Sequence, residues 1–169
     1  MNRDKFIKIS ATSFGAGDIE GMPGTIGTIA AIPLYILISM MQYLPIFKDT
    51  NGNTRLFYYN FYFLFLVGFF IFSTYIAGEA EKLYREKDCQ KIVIDEVLGY
   101  LTTMFLVKFH IATIIIGFIC FRIFDIAKIY PINKAQEVPG GLGVVLDDFV
   151  AGIFANVMVV IFAVAMGIQ

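Results

Sequence analysis

Acidic residues border several of the most apolar parts of this sequence. They form two adjacent pairs and one single acid: Asp95 with Glu96, Asp147 with Asp148, and Asp125. A carboxylate in a membrane-like environment costs about 2.5–3.5 kcal/mol on insertion scales, and carboxylates that meet also repel one another. A divalent cation shared between them would relieve the repulsion. We therefore predict a metal site formed by these five residues, directly or through water.

The donor types favour Mg²⁺ as the metal. Carboxylate oxygens suit Mg²⁺ or Mn²⁺, whereas a zinc site would favour histidine and cysteine. Neighbouring helical residues point about 100° apart, so one member of each adjacent pair can bind the metal while the other acts through water or as a base. The sequence leaves open which member does so.

Basic residues beside these acids indicate an anionic substrate. Arg122, Asp125 and Lys128 are spaced three apart, so on a helix they share one face. Arginine and lysine next to a metal site favour phosphate as the anion. The residues predicted to be catalytic are Asp95, Glu96, Asp125, Asp148, Arg122 and Lys128.

Two glycine motifs are candidates for binding that phosphate. PGT, which contains Gly24 and Thr25, would offer backbone N–H groups and a hydroxyl at the start of a helix. EVPGGLG, which contains Gly140 and Gly141, would supply a second, flexible cradle. Each motif alone is a weak signal, because Pro-Gly also simply marks turns.

Composition places these residues in an integral membrane protein. Hydrophobic residues make up 58% of the chain and charged residues 16%, with a mean hydropathy of +0.74. Soluble domains have about 45–50% apolar and about 25% charged residues. The length of 169 residues suits one domain, residues 1–169. The net charge of -1 gives no electrostatic case for binding nucleic acid.

Five apolar stretches predict an all-α bundle of about five transmembrane helices. They cover residues 26–47, 56–77, 92–109, 111–126 and 149–168. A bilayer core needs roughly 20 helical residues. The third and fourth stretches reach that length only if polar flanking residues join the helix.

Charge bias predicts which side of the membrane the acids face. With five spans, the N-terminus and residues 78–91 and 127–145 share one side, while the turns 48–55 and 108–110 and the C-terminus share the other. Ten of the 13 lysines and arginines fall on the first side, which is therefore expected to be cytoplasmic. The acids then lie at the cytoplasmic ends of the spans, and the sole histidine, His110, lies at the opposite side.

Small and polar residues also follow the acids along the chain at helical spacing. Because small side chains let helices approach closely, we expect these faces to point into the bundle. One face has Asp95, Gly99, Thr102 and Thr103, and the other has Asp148, Gly152, Ala155 and Asn156.

The motifs FGAG, PGTIGTIAAIP, IDEVLG, FRIFDIAKIYPI and GGLGVVLDDFVAG occur in this order over residues 14–152. In type and order they resemble those of the bacterial phosphatidylglycerophosphatase A family. The chain departs from the family at Ile94, where tryptophan is common, at KIYPI in place of KPWPI, and at DIEGM before PGT. The resemblance implies an all-α, Mg²⁺-dependent enzyme of the bacterial cytoplasmic (inner) membrane. Its substrate would be phosphatidylglycerophosphate in the bilayer, which it would hydrolyse to phosphatidylglycerol and phosphate.

The expected mechanism is attack by a water that the metal activates. Arg122 and Lys128 would neutralise the charge that develops on the phosphate. Direct attack by an aspartate stays open. Two other functions also stay open: a membrane cation transporter that uses the acids as its ion path, and a phosphatase for another lipid phosphate. Nothing in the sequence indicates an obligate protein partner.

Overall fold

The computed structural model describes residues 2–48, 56–87 and 89–168. Over these residues the chain is helical and has no β-sheet, which confirms the predicted all-α fold. The helices are α1 (Arg3–Ala11), α2 (Pro23–Met41), α3 (Leu56–Tyr84), α4 (Ile94–Thr103), α5 (Ile111–Ala127), α6 (Ile132–Ala135) and α7 (Gly141–Ala165). Apart from Lys48, the turn predicted at 48–55 lies outside the described residues.

Within the described residues, three helices are long and apolar enough to cross a membrane. α2 has 19 residues, α3 has 29 and α7 has 25. At about 1.5 Å per residue, each matches or exceeds the roughly 30 Å of a bilayer core, within the scatter of such lengths. Their presence supports the predicted membrane association.

The predicted count of five spans is not confirmed. The helix within residues 92–109 is α4, which has only 10 residues and is therefore about 15 Å long. It ends at Thr103, and Leu106 just beyond it has a positive φ of 61° that a helix cannot accommodate. An apolar stretch does not reveal this ending, because hydropathy is the same for helical and for extended backbone.

α4 and α5 form a hairpin whose turn lies at the end farther from the acids. His110, predicted to be a turn residue, is the N-cap of α5, where its Nδ1 accepts a hydrogen bond from the N–H of Ala112 at 3.1 Å. A hairpin that enters and returns leaves its two outer ends on the same side. The predicted side of every other loop is therefore the same whether or not this hairpin crosses the whole bilayer.

α4 is the centre of the bundle. Every residue of it except Glu96 is buried. Its closest neighbour is α7, and the two backbones touch where Gly99 meets Gly152: a Cβ added at Gly152 would collide with the carbonyl oxygen of Gly99. A Cβ at Gly99 would collide with the ring of Phe121 on α5. The prediction that these small-residue faces point into the bundle is confirmed.

The N-terminal segment holds the start of α4. α1 packs on α3 through an ion pair between Arg3 and Glu79 and an edge contact between the rings of Phe6 and Phe72. After α1, the carbonyl of Ala11 accepts a hydrogen bond from the N–H of Val93 at 2.8 Å. This bond joins the N-terminal segment to the residue immediately before α4.

Candidate active site

One cavity of about 220 Å³ gathers the predicted acids and bases. It lies where four helices meet: the first turns of α2 and α4, the end of α5, and the part of α7 about two turns after its start. The predicted residues that line it are Gly24, Asp95, Glu96, Arg122, Asp125, Lys128, Asp147 and Asp148. Residues more than 100 positions apart in the sequence are thus neighbours, as the topology predicts.

Asp95 and Glu96 belong to the first turn of α4. The N-terminal end of a helix carries a partial positive charge, which favours carboxylates at this position. One oxygen of Asp95, Oδ1, accepts the backbone N–H of Glu96 at 3.1 Å. Asp95 is buried, with an exposed fraction of 7%.

Asp147 and Asp148 lie about two turns inside α7, not at its start as the sequence suggested. The helix begins at Gly141, within the segment expected to be a loop. Gly140 has a φ of 72°, which suits glycine, and it turns the chain into the helix. Gly141 packs against the backbone of Thr74 and Gly78 on α3 so closely that a Cβ would not fit. These glycines therefore position α7 against α3.

The two cationic side chains of the cavity, Arg122 and Lys128, each form an ion pair. Arg122 Nη1 donates to Asp125 Oδ2 at 2.5 Å, and Lys128 Nζ donates to Asp147 Oδ2 at 2.8 Å. Lys128 is the C-cap of α5, with a left-handed backbone that directs its side chain towards α7. Burial alone would lower the pKa of Lys128, but its hydrogen bond to Asp147 and the nearby carboxylates raise that pKa overall. Lys128 is therefore a cation at neutral pH.

The other three carboxylates form a compact cluster. Asp95, Glu96 and Asp148 each offer an oxygen, and these oxygens lie within 4.8 Å of one another. One oxygen of Glu96, Oε2, is buried and has no hydrogen-bond partner among the described residues. A buried acceptor without a donor is unfavourable. This orphaned oxygen and the all-carboxylate donor set fit a hard divalent cation such as Mg²⁺.

Arg122 presents a second orphaned group. Its Nε–H is buried and has no acceptor among the described residues, although Nη1 is bonded to Asp125. A guanidinium with one edge held and another donor free can bind an additional oxyanion. The cavity thus places a donor suited to an anion next to a carboxylate cluster suited to a cation.

Gly24 is the one predicted phosphate-binding glycine that lines this cavity. A Cβ at this position would lie 2.5 Å from Glu96 Oε1 and 3.2 Å from Arg122 Nη1. Thr25, Gly140 and Gly141 do not line it, and Gly140 borders a separate cavity beside Gln136 and Glu137. A role in binding phosphate stays a prediction for these three residues.

We expect Gly24→Ala to lower catalysis with little effect on folding. The added methyl group would displace the ends of Glu96 and Arg122, and a misplacement of about 1 Å costs up to about a hundredfold in rate. Alanine is also favoured over glycine in a helix by about 1 kcal/mol, so stability should not fall. The measurement is the rate of phosphate release alongside the melting temperature in detergent.

The matched control is Gly68→Ala, because nothing lies within 4 Å of a Cβ at Gly68. Equal rates for both glycine variants and the unmodified protein would contradict a catalytic role for the groups that Gly24 packs against, Glu96 and Arg122.

The loop before α4 completes the cavity, which the sequence did not reveal. Pro23, Cys89, Gln90 and Ile92 also line it. Burial raises the pKa of the Cys89 thiol, so this cysteine is not an activated nucleophile. Pro23, Cys89 and Gln90 also border an adjoining cavity of about 300 Å³. Pro23 belongs to the PGT motif, but Cys89, Gln90 and Ile92 have no charge or metal-binding pattern, so no signal in the sequence could have identified these three.

Comparison with known proteins gives a consistent result. The family model described as Phosphatidylglycerophosphatase A matches residues 9–163. The chain is 32% identical to phosphatidylglycerophosphatase A of Escherichia coli (strain K12), over 86% of this chain and 76% of that protein. It is 28% identical to the enzyme of the same name from Haemophilus influenzae, over 94% of this chain and 88% of that one.

A third relative has a different name. The putative phosphatidylinositol-3-phosphatase of Bacteroides thetaiotaomicron is 28% identical, over 95% of this chain and 96% of that protein. No solved structure shows a significant match.

Proposed function

This chain belongs to the phosphatidylglycerophosphatase A family, and from that premise we propose that it is a Mg²⁺-dependent phosphatase of phosphatidylglycerophosphate. The products would be phosphatidylglycerol and inorganic phosphate. The observation that carries the proposal is the cluster of Asp95, Glu96 and Asp148 beside the Nε–H of Arg122, which has no acceptor in the part of the chain that the structure describes. It brings groups suited to binding a cation and an oxyanion together in one cavity.

In this proposal Asp95, Glu96 and Asp148 hold Mg²⁺, which would supply Lewis acidity and a lower pKa for a bound water. The five acids thereby take two roles, since Asp125 and Asp147 are occupied by Arg122 and Lys128. Arg122 then binds the phosphate through Nε, while Asp125 fixes the orientation of the guanidinium. Lys128 adds a positive charge at the rim, held in place by Asp147.

The location of the cavity suits a lipid substrate. It lies near the ends of membrane-crossing helices, so a phosphate at the level of the lipid headgroups could enter while the acyl chains stay in the bilayer. The excess of lysine and arginine on this side supports a cytoplasmic orientation. We propose that the protein resides in the bacterial inner membrane with this cavity facing the cytoplasm.

The direct test is phosphate release from phosphatidylglycerophosphate by the purified full chain in mixed micelles. We expect release with Mg²⁺, loss of release when a chelator removes the metal, and recovery when Mg²⁺ is restored. Release that persists in chelator would contradict the Mg²⁺ requirement, and no release at any Mg²⁺ concentration would contradict the substrate.

A second candidate substrate is favoured by the name of the Bacteroides relative. Phosphatidylinositol 3-phosphate also carries a phosphomonoester at the membrane surface, and the relative with that putative activity matches nearly the whole chain. Parallel assays with both lipids at equal surface concentration separate the two candidates through kcat/KM. The cation transporter considered from the sequence has no such support, and the matched relatives are named as phosphatases.

A further inference from the structure

Asn156 of α7 bonds to the backbone where α4 ends. Its side-chain Nδ2 donates to the carbonyl oxygen of Thr103 at 2.8 Å and to that of Phe105 at 2.7 Å. The last four carbonyls of a helix have no partner within the helix. In hydrocarbon an unsatisfied backbone group is strongly unfavourable, because no water is present to bond to it. Asn156 therefore satisfies two carbonyls at the point where a short helix stops inside the bundle.

The same residue belongs to a regular pairing between α4 and α7. The two helices start on the same side of the bundle and run parallel, and a sequence offset of 53 residues recurs among their contacts. Three pairs follow that offset: Asp95 with Asp148, Gly99 with Gly152, and Thr103 with Asn156. The first pair belongs to the carboxylate cluster and the last is the hydrogen bond of Asn156.

A shift of α4 along α7 would dismantle the cluster. One helical turn is about 5.4 Å, which would move Asp95 and Glu96 away from Asp148 by more than the present separation of their oxygens. Apolar contacts within a bilayer resist such a shift weakly, because lipid tails are as apolar as the side chains. Directional hydrogen bonds resist it better. A single buried asparagine sets register in coiled coils in the same way.

We propose that Asn156 is a positioning residue that sets the register of α4 against α7 and so holds Asp95 and Glu96 opposite Asp148. Thr103 supports the same register, since its Oγ1 lies 3.4 Å from the carbonyl oxygen of Gly152. The inference rests on the proposed function only in taking the carboxylate cluster as the Mg²⁺ site. Asn156 itself lies about 12 Å along α7 from Asp148, too far to touch a metal or substrate there.

Tyr62 provides a matched control. Its hydroxyl donates to the carbonyl oxygen of Leu101 at 2.9 Å, so it also satisfies a carbonyl near the end of α4. Tyr62 belongs to α3, however, and does not join α4 to α7. Tyr62→Phe and Asn156→Leu therefore each remove side-chain bonds to the end of α4, but only the second removes the bonds that set the register.

The experiment compares these two variants in the purified full chain in detergent. Mg²⁺ is titrated while the melting temperature is recorded, which requires no turnover. We expect both variants to melt at lower temperature without Mg²⁺. In Asn156→Leu the half-saturating Mg²⁺ concentration should rise roughly tenfold or more, the range seen when a residue that orients a metal ligand is lost. In Tyr62→Phe it should stay close to the original value.

A second readout is the rate of phosphate release, where we expect kcat to fall in Asn156→Leu with KM for the lipid little changed. An unchanged half-saturating Mg²⁺ concentration in Asn156→Leu, or an equal rise in both variants, would overturn the assignment. If Asn156→Leu does not fold, Asn156→Ser takes its place, with the same expected direction and the same overturning result.

The outcomes also separate this inference from the proposed function. A protein that is stabilised by Mg²⁺ but releases no phosphate contradicts the proposed activity, and the titration still decides the role of Asn156. A protein that releases phosphate with no response to Mg²⁺ contradicts the proposed metal. In that case the inference stands if kcat falls in Asn156→Leu alone and is overturned if it does not.

Discussion

Asp95→Asn should reduce phosphate release by more than about a hundredfold, since even residues that only orient a metal ligand cost 10–100-fold when they are lost. The amide keeps the size of the carboxylate and can still accept the N–H of Glu96, so the first turn of α4 should form. It lacks the negative charge that the cation requires. Removing one of three clustered acids also relieves repulsion, so the melting temperature without Mg²⁺ should stay the same or rise.

The measurement pairs phosphate release with thermal unfolding in detergent, with and without Mg²⁺. Stabilisation by Mg²⁺ should weaken together with activity. Glu137→Gln is the matched control, because it changes an exposed acid that pairs with Lys134 outside the carboxylate cavity. Full activity in Asp95→Asn, or an equal loss in Glu137→Gln, would rule out the carboxylate cluster as the catalytic centre.

Arg122→Lys should lower kcat by roughly 10²–10³-fold, the usual effect of removing one preorganised donor from a developing oxyanion. The positive charge is retained, and an ammonium group at this position can still pair with Asp125. It cannot bond to Asp125 and present a second, fixed N–H to a phosphate in the way that the planar guanidinium does. The charge next to the carboxylate cluster is unchanged, so the half-saturating Mg²⁺ concentration should change little.

Arg3→Lys is the corresponding control. Arg3 pairs with Glu79 on the surface of α1 and α3, and exposed ion pairs contribute little to stability. Its rate should match that of the unmodified protein. A rate for Arg122→Lys within about threefold of the original would show that charge alone suffices and that the Nε–H of Arg122 does not bind the transferred group.

The residue types led to the carboxylate cluster but not to the different roles of its acids. The sequence placed five acids at one membrane depth, because hydropathy locates the spans and the distribution of lysine and arginine orients them. It could not separate Asp95, Glu96 and Asp148 from Asp125 and Asp147. That division depends on which carboxylates the two cations reach, and Lys128 reaches Asp147 only because its left-handed C-cap directs it across to α7.

The helix boundaries show the same limit. Composition and helical spacing were enough to predict the all-α membrane fold, the meeting of the acids in one place and the inward direction of the small-residue faces. The end of α4 at Thr103 and the start of α7 at Gly141 follow instead from contacts between helices. The first ending depends on hydrogen bonds from Asn156 and Tyr62 on other helices, and the second on the contact of Gly141 with α3. Such contacts join residues far apart in the chain, so a local pattern of apolar and polar residues cannot predict them.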